Sequence, residues 1–278
     1  MKIFKLLLLI IVSALFIIGS CKKDSSSPYD GPTNPVEESP SRVETVTIQS
    51  PALGIEKNFN IYLPKGYDES TESYPAVYLF RGHENEWTQH GIQDRVNSLY
   101  NADKIGKMIL VMPGLTYESN PMVGFPVNMI NRGILGSSLS GLGTGQFEDY
   151  FIDDLIPYVD NSYRTKANRE FRGTDGFSAG AYSAIMIALR HPDLFSTAGC
   201  YDGPFGWSDF DDPGIPGHLD DNVWMNGSNF DPYFGNPRDM DYMRSYNPPD
   251  MLSDASIDQL NMIKTIHFFI HAACPEAT

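Results

Sequence analysis

Cysteine is scarce in this chain, with three residues in 278, at positions 21, 200 and 274. So few thiols exclude a fold stapled by several bridges. Basic residues are also few, 20 Lys and Arg against 35 Asp and Glu, for a formal charge of −15. That balance argues against nucleic acid or other polyanionic partners. Long hydrophobic runs are missing. The apolar stretch Leu6–Ile18 has 13 residues, short of the roughly 20 that a membrane-spanning helix needs. No internal repeat is visible. Gly136–Gly145 (GSSLSGLGTG) lacks the lysine of a phosphate-binding loop and reads as a flexible rim loop. Asp209, Asp211, Asp212, Asp220 and Asp221 lack EF-hand spacing, so they read as a solvated acidic surface rather than a calcium site. Neither a metal nor a cofactor is expected.

What is present begins with a targeting segment. Lys2 and Lys5 precede the apolar run, which ends in Ile18-Gly19-Ser20-Cys21. This resembles a bacterial lipoprotein cleavage site, with Cys21 the lipidated first residue; an ordinary secretory signal with an incidental cysteine is the alternative. Lys22–Arg42 is rich in Ser, Pro and charge and cannot bury a core. The expectation is therefore a signal peptide over 1–20, a lipidated flexible tether over 21–42, and one α/β domain over 43–278. The protein would sit in the cell envelope, at the outer membrane or cell surface, anchored to the membrane by lipid. Without the signal the chain has 18 basic and 35 acidic residues, a charge of −17. Cys200 and Cys274 then remain, as one disulfide or as two small buried thiols.

The most informative motif is Gly176-Phe177-Ser178-Ala179-Gly180. Glycines two residues either side of a serine allow a strand-to-helix turn tight enough to lift the hydroxyl clear of a sheet. The same turn aims the Ala179 N–H, at a helix N-terminus, toward the place where an oxyanion would form. Arg169–Asp175 before it reads as an unusually polar strand. Ala181, Ile185, Met186, Ala188 and Leu189 after it predict a buried helix, stopped by His191-Pro192. Phe195–Tyr201 reads as the next strand.

Elsewhere, Val46 and Ile48, then Phe59, Ile61 and Leu63, alternate as two amphipathic strands joined near Gly54. Ala76–Phe80 and Met108–Met112 are continuous apolar runs of the kind that parallel strands show when covered on both faces. Ile92, Val96 and Leu99 mark a helix between them, and a further helix spans roughly Gln146–Asn161. The final strand is expected over Met262–Ile270. The pattern predicts a mostly parallel, doubly wound sheet with an antiparallel N-terminal edge and a lid-like insertion over Asp202–Asn261. In that insertion Trp207, Phe210, Trp224, Phe230, Tyr233, Phe234, Tyr242 and Tyr246 either line a cleft that stacks on sugar rings or phenolic groups, or form the lid's own core.

Taken in order, several segments resemble the esterase D-like branch of the α/β-hydrolases, which includes feruloyl, acetyl-xylan and enterochelin esterases. They are Ser50–Gly54, Ile61–Pro64, Tyr74–Trp87 (YPAVYLFRGHENEW), Val111–Pro113, Phe147–Arg164, the Gly176–Gly180 elbow and Arg190–Phe195 (RHPDLF). The resemblance implies a Ser178 nucleophile and an oxyanion hole formed by the backbone N–H groups of Ala179 and His83. It also implies a serine esterase acting on acylated polysaccharide or a siderophore-type ester. Where the family has His-Gly this chain has Arg81-Gly82, and a guanidinium there would bear on substrate choice. Glu276 and Asp202 are both positioned as the triad acid. The family's histidine lies beyond the final strand, and none of His191, His218, His267 or His271 stands in its place, so the triad histidine stays unassigned. His191 reads as a capping or packing residue. The chain is accordingly expected to be C-terminally incomplete as a hydrolase. A non-catalytic, carbohydrate-binding relative with the same fold is the alternative.

Overall fold

The computed structural model describes residues 38–82, 86–117, 124–136, 139–203 and 227–271. Residues 1–37 with Cys21 lie outside these, as do His83, His218, Trp207, Phe210, Trp224, Asp209, Asp211, Asp212, Asp220, Asp221, Cys274 and Glu276. The elements run β1 (Arg42–Ser50), β2 (Ile55–Leu63), β3 (Ala76–Phe80), α1 (Glu86–Gln89), α2 (Ile92–Asn101), β4 (Ile109–Met112), α3 (Phe147–Asp149) and α4 (Ile156–Ser162). They continue with β5 (Arg172–Gly176), α5 (Ala179–Arg190), β6 (Thr197–Tyr201), α6 (Gly227–Phe234), α7 (Met240–Arg244), α8 (Pro248–Asp254), α9 (Ile257–Ile263) and β7 (His267–His271).

The seven strands form one sheet in the order β1-β2-β4-β3-β5-β6-β7. β1–β2 and β2–β4 pair antiparallel, and every pairing from β4 through β7 is parallel. A doubly wound α/β sheet with an antiparallel edge follows from the residues. Short apolar runs cannot end in hairpins when helices separate them, and the crossovers place those helices on the sheet faces. One face packs on α5, whose residues Ala179 to Leu189 are all buried. The other packs Tyr62, Leu79, Leu110 and Met112 against Val96 and Ile105, beneath α2.

Three boundaries differ from the sequence expectation. Arg169–Phe171 forms a 3-10 turn, because the Asn168 side chain caps it by accepting from the Glu170 N–H, and the strand begins only at Arg172. The strand expected from Phe195 begins at Thr197. Met262 and Ile263 belong to α9, whose N-terminal Ser256/Gln259 capping box outweighs the apolar run, so the last strand starts at His267. The expected helix over Gln146–Asn161 is present as α3, a π-helical stretch Tyr150–Leu155, and α4. Pro157, which cannot donate an N–H, lies just past the widened turn.

Glu38–Ser41, assigned by composition to the tether, are held against the domain. Ser39 donates to Glu69, Glu38 pairs with Lys65, and Ser41 accepts from Gln93 and Asn97. The described part of the Gly136–Gly145 segment is pinned rather than loose. Leu142 is fully buried, and Thr144 donates its N–H to the Leu53 carbonyl and its hydroxyl to the Ala52 carbonyl in the β1–β2 turn. Cys200 is a buried thiol that burial pushes up to about 12. No helix among the described residues is long and apolar enough to cross a membrane.

Candidate active site

Ser178 stands between the end of β5 and the start of α5 with φ 55° and ψ −123°. A serine in that region costs on the order of 1–3 kcal/mol, and surrounding contacts must hold it. Its N–H donates to the Tyr201 carbonyl at 3.0 Å, and its carbonyl accepts from Ala181 at 2.9 Å. The flanking glycines leave no room for a side chain. A Cβ on Gly176 would stand 2.1 Å from the Gly180 carbonyl oxygen, and one on Gly180 would stand 2.2 Å from the Phe80 oxygen. The chain doubles back on itself and on the end of β3 because nothing larger than hydrogen occupies those positions.

The Gly180 and Ala181 N–H groups are taken by the Phe177 and Ser178 carbonyls. Ala179, the expected oxyanion donor, is the first residue of the helix. The loop after β3 presses on the elbow from the other side: a Cβ on Gly82 would lie 2.9 Å from Ser178 Cβ and 3.4 Å from its Oγ. The second expected donor, His83, follows Gly82 directly and lies outside the described residues, as do His218 and Glu276.

Of the remaining candidates, Asp202 comes nearest. It follows Tyr201 with φ 48°, and its N–H donates to the His271 carbonyl at 2.8 Å. Ser178, Asp202 and His271 therefore occupy the carboxyl ends of β5, β6 and β7, side by side along one rim of the sheet. Phe177 and Tyr201 pack there, tilted, with ring centroids 5.7 Å apart, and Tyr201 and His271 lie 6.2 Å apart. His267 is exposed at the start of β7, the far end from the elbow. His191 is a packing residue, its Nε2 lying 2.8 Å from Glu148 Oε1. Among the described residues no group of three or more His, Cys, Asp or Glu is placed to hold a metal ion.

The described aromatic residues of the insertion belong to a core. Phe230, Tyr233, Phe234 and Tyr246 are buried and pack with Phe125 and Tyr182, and Tyr242 leans on Tyr246 at 5.0 Å. These rings are part of the core cluster that includes α5.

Three charged groups of the domain carried no sequence signal. Asp175, one residue before the elbow glycine, accepts from the Gly176 N–H, and burial lifts its carboxyl to about 6. Lys57 on β2 is 6% exposed and donates to the Thr116 and Gly141 carbonyls. Glu148 is buried, and burial opposes its ionisation. Hydrogen bonds from His191 and Arg190 outweigh that and hold its carboxyl below the usual range. Each side chain lies in a strand or helix whose pattern predicts only an element, so its partners emerge in three dimensions.

The description "Putative esterase" belongs to a family whose model matches residues 50–229. An endo-1,4-beta-xylanase/feruloyl esterase of Xylanibacter ruminicola is 32% identical over 170 residues, 58% of this chain and 21% of that protein. Esterase Rv1288 of Mycobacterium tuberculosis is 27% identical over 176 residues, 60% of this chain and 33% of its own length. The chain thus matches a third or less of these curated relatives. Among solved structures, a ferulic acid esterase superimposes with a TM-score of 0.62 at 19% identity, covering 82% of this chain and 76% of its own. An S-formylglutathione hydrolase from Agrobacterium tumefaciens does so at 0.59 and 15%, covering 85% and 90%. These two likenesses establish the fold, and with the family match over most of the described domain, the chain belongs to the "Putative esterase" family of α/β-hydrolases.

Proposed function

We propose that this chain is a serine carboxylic-ester hydrolase that works outside the cytoplasm on an acylated polysaccharide or a siderophore-type ester. The observation that carries the reading is the strained backbone of Ser178 at the head of a buried helix. Such a turn holds a hydroxyl at the sheet rim with a helix N-terminus beneath it. In the proposed reaction Ser178 Oγ attacks the ester carbonyl while a base takes its proton. The N–H groups of Ala179 and His83 receive the developing oxyanion, the alcohol leaves with a proton, and water releases the acid from the acyl-enzyme. Asp202 and Glu276 are the candidate acids for the triad. Similarity to a xylanase/feruloyl esterase favours a plant-polysaccharide ester, and the Cys21 motif favours a tethered enzyme that meets it at the cell surface.

Ser178→Ala is expected to lower p-nitrophenyl ester hydrolysis by roughly three orders of magnitude or more, and to abolish labelling by a fluorophosphonate probe. Activity retained by the variant would place the chemistry on another residue. A non-catalytic carbohydrate-binding relative is the second reading, favoured by His191 being committed to Glu148. It requires polysaccharide binding with no Ser178-dependent turnover.

A further inference from the structure

Thr116, in the loop after β4, is held on one side and holds on the other. Lys57 of β2 donates its Nζ to the Thr116 carbonyl, and to the Gly141 carbonyl at 2.7 Å. Arg81, the first residue after β3, donates a guanidinium N–H to Thr116 Oγ1 at 2.9 Å. β3 and β4 pair in parallel, so both loops leave the same rim of the sheet. Gly114, two residues before Thr116, presses on β2, where a Cβ would stand 1.7 Å from the Asn58 carbonyl oxygen. The loop after β4 is therefore fastened to β2 at two points, and its threonine hydroxyl reaches the loop after β3.

That second loop touches the elbow. The Arg81 backbone nitrogen lies 2.8 Å from where a Cβ on Gly180 would stand, and a Cβ on Gly82 would lie 2.9 Å from Ser178 Cβ. Donors to an oxyanion have to stand about 2.7–3.1 Å from it, so small displacements of this backbone bear on the chemistry. A buried lysine is an unfavourable fastener. Its acceptors are neutral, its Nζ lies 5.2 Å from the centroid of the buried Phe147 ring, and no carboxylate pairs with it among the described residues. Burial first, and then the charge of Arg81, lower its pKa to about 8, so it largely keeps its proton at neutral pH. Enclosing an unpaired cation costs stability, and an apolar side chain of similar length would fill the space at less cost. What the ammonium adds is a pair of directed, charge-assisted donors on two separate loops.

We propose that Lys57 and Thr116 are positioning residues for ester hydrolysis. Lys57 sets Thr116, Thr116 sets Arg81, and Arg81 keeps the backbone of the loop after β3 seated against Ser178, where the second oxyanion donor is expected. This rests on Ser178 as the nucleophile. Neither Lys57 nor Thr116 touches the substrate in this role.

The test uses the full chain and p-nitrophenyl acetate. Thr116→Val keeps the shape of the side chain and removes the acceptor for Arg81. It is expected to lower kcat about tenfold, a fraction of the loss from deleting an oxyanion donor outright. KM should change less than about twofold, because the oxyanion forms only on the way to the transition state. Lys57→Met should behave alike, and Thr116→Ser should keep the wild-type kcat. In an Arg81→Met background Thr116→Val should cost nothing further, since the two residues act as one unit. A kcat within about twofold of wild type for Thr116→Val or Lys57→Met, or equal losses from Thr116→Val in both backgrounds, overturns the proposal. Turnover that still depends on Ser178 leaves the esterase reading standing in that case. If the wild type shows no Ser178-dependent turnover, the esterase reading fails, and hydrogen exchange at the Arg81 and Gly82 amides then reads the seating of the loop by itself. Exchange about tenfold faster in Thr116→Val and Lys57→Met, with α5 unchanged, supports that seating, and unchanged exchange overturns it.

Discussion

At the scale of single residues, the domain holds strain and charge where the family's chemistry is expected. Ser178 and Asp202, two of the three described non-glycine residues with positive φ, follow neighbouring strands and are linked through Tyr201 and its hydrogen bond to Ser178. Asp175 adds an electrostatic cost beneath them. Its folded pKa of about 6 exceeds its ordinary 3.8, so the folded state binds the extra proton between those values. Stability contributed by the protonated form is complete below about pH 4 and is lost as pH rises through 6. Asp175→Asn keeps an acceptor for the Gly176 N–H and carries no charge. Because the residue is partly in contact with solvent, the discounted gain above pH 6.5 is about 1–2 kcal/mol, against none near pH 4. Urea denaturation of both proteins at the two pH values checks this, and parallel curves would refute it.

At the scale of elements, the segments that carry the family resemblance are chiefly places where elements touch. Ser50, the last residue of β1, and Ala52, in the turn after it, both donate to Asp154 of the π-helical stretch, at 2.5 and 3.0 Å. Tyr74, before β3, donates its N–H to the Arg164 carbonyl after α4. Arg190 and His191, at the end of α5, converge on Glu148 of α3, which also accepts from Tyr246 between α7 and α8. The Arg190 guanidinium lies 3.9 Å over the Tyr246 ring and donates to the Ser245 carbonyl. This clamp joins the insertion to α3 and the end of α5. Glu148→Leu leaves the Arg190 charge without its carboxylate, and the expected loss is about 2–4 kcal/mol, tempered by the partial exposure of Arg190. Glu148→Gln should lose about half as much. A change in denaturation midpoint worth less than 0.5 kcal/mol for Glu148→Leu would show the clamp to be incidental.

At the scale of the whole molecule, β7 is the outer described strand on its side of the sheet, with Phe268 and Ile270 exposed. The opposite edge is β1, whose Thr45 and Thr47 hydroxyls donate to Asn60 and Asn58 of β2. The anchor belongs to this scale too. If Cys21 carries lipid, Cys21→Ser should move the protein from the membrane to the soluble fraction or block its processing, since acyl chains supply the apolar burial. Unchanged fractionation with no lipid mass on Cys21 would remove the anchor from the account.

What the sequence by itself determined were features written over a few consecutive residues. The elbow needs glycines at fixed spacing around Ser178, the parallel strands are unbroken apolar runs such as Ala76–Phe80, and the N-terminal hairpin alternates with period two. Backbone sterics and local burial dictate each of these, so order and type survived while boundaries shifted where Asn168 and Ser256 caps intervened. Only the tertiary structure decided that Phe230, Tyr233, Phe234 and Tyr246 are core, because an aromatic residue reads the same whether it faces a cleft or a helix. It alone joined Glu148 to Tyr246, 98 positions away, and brought Lys57 and Arg81 to the same threonine. A charge buried in a strand leaves no periodic mark. Its meaning comes from which distant acceptors and which second charge the fold sets beside it.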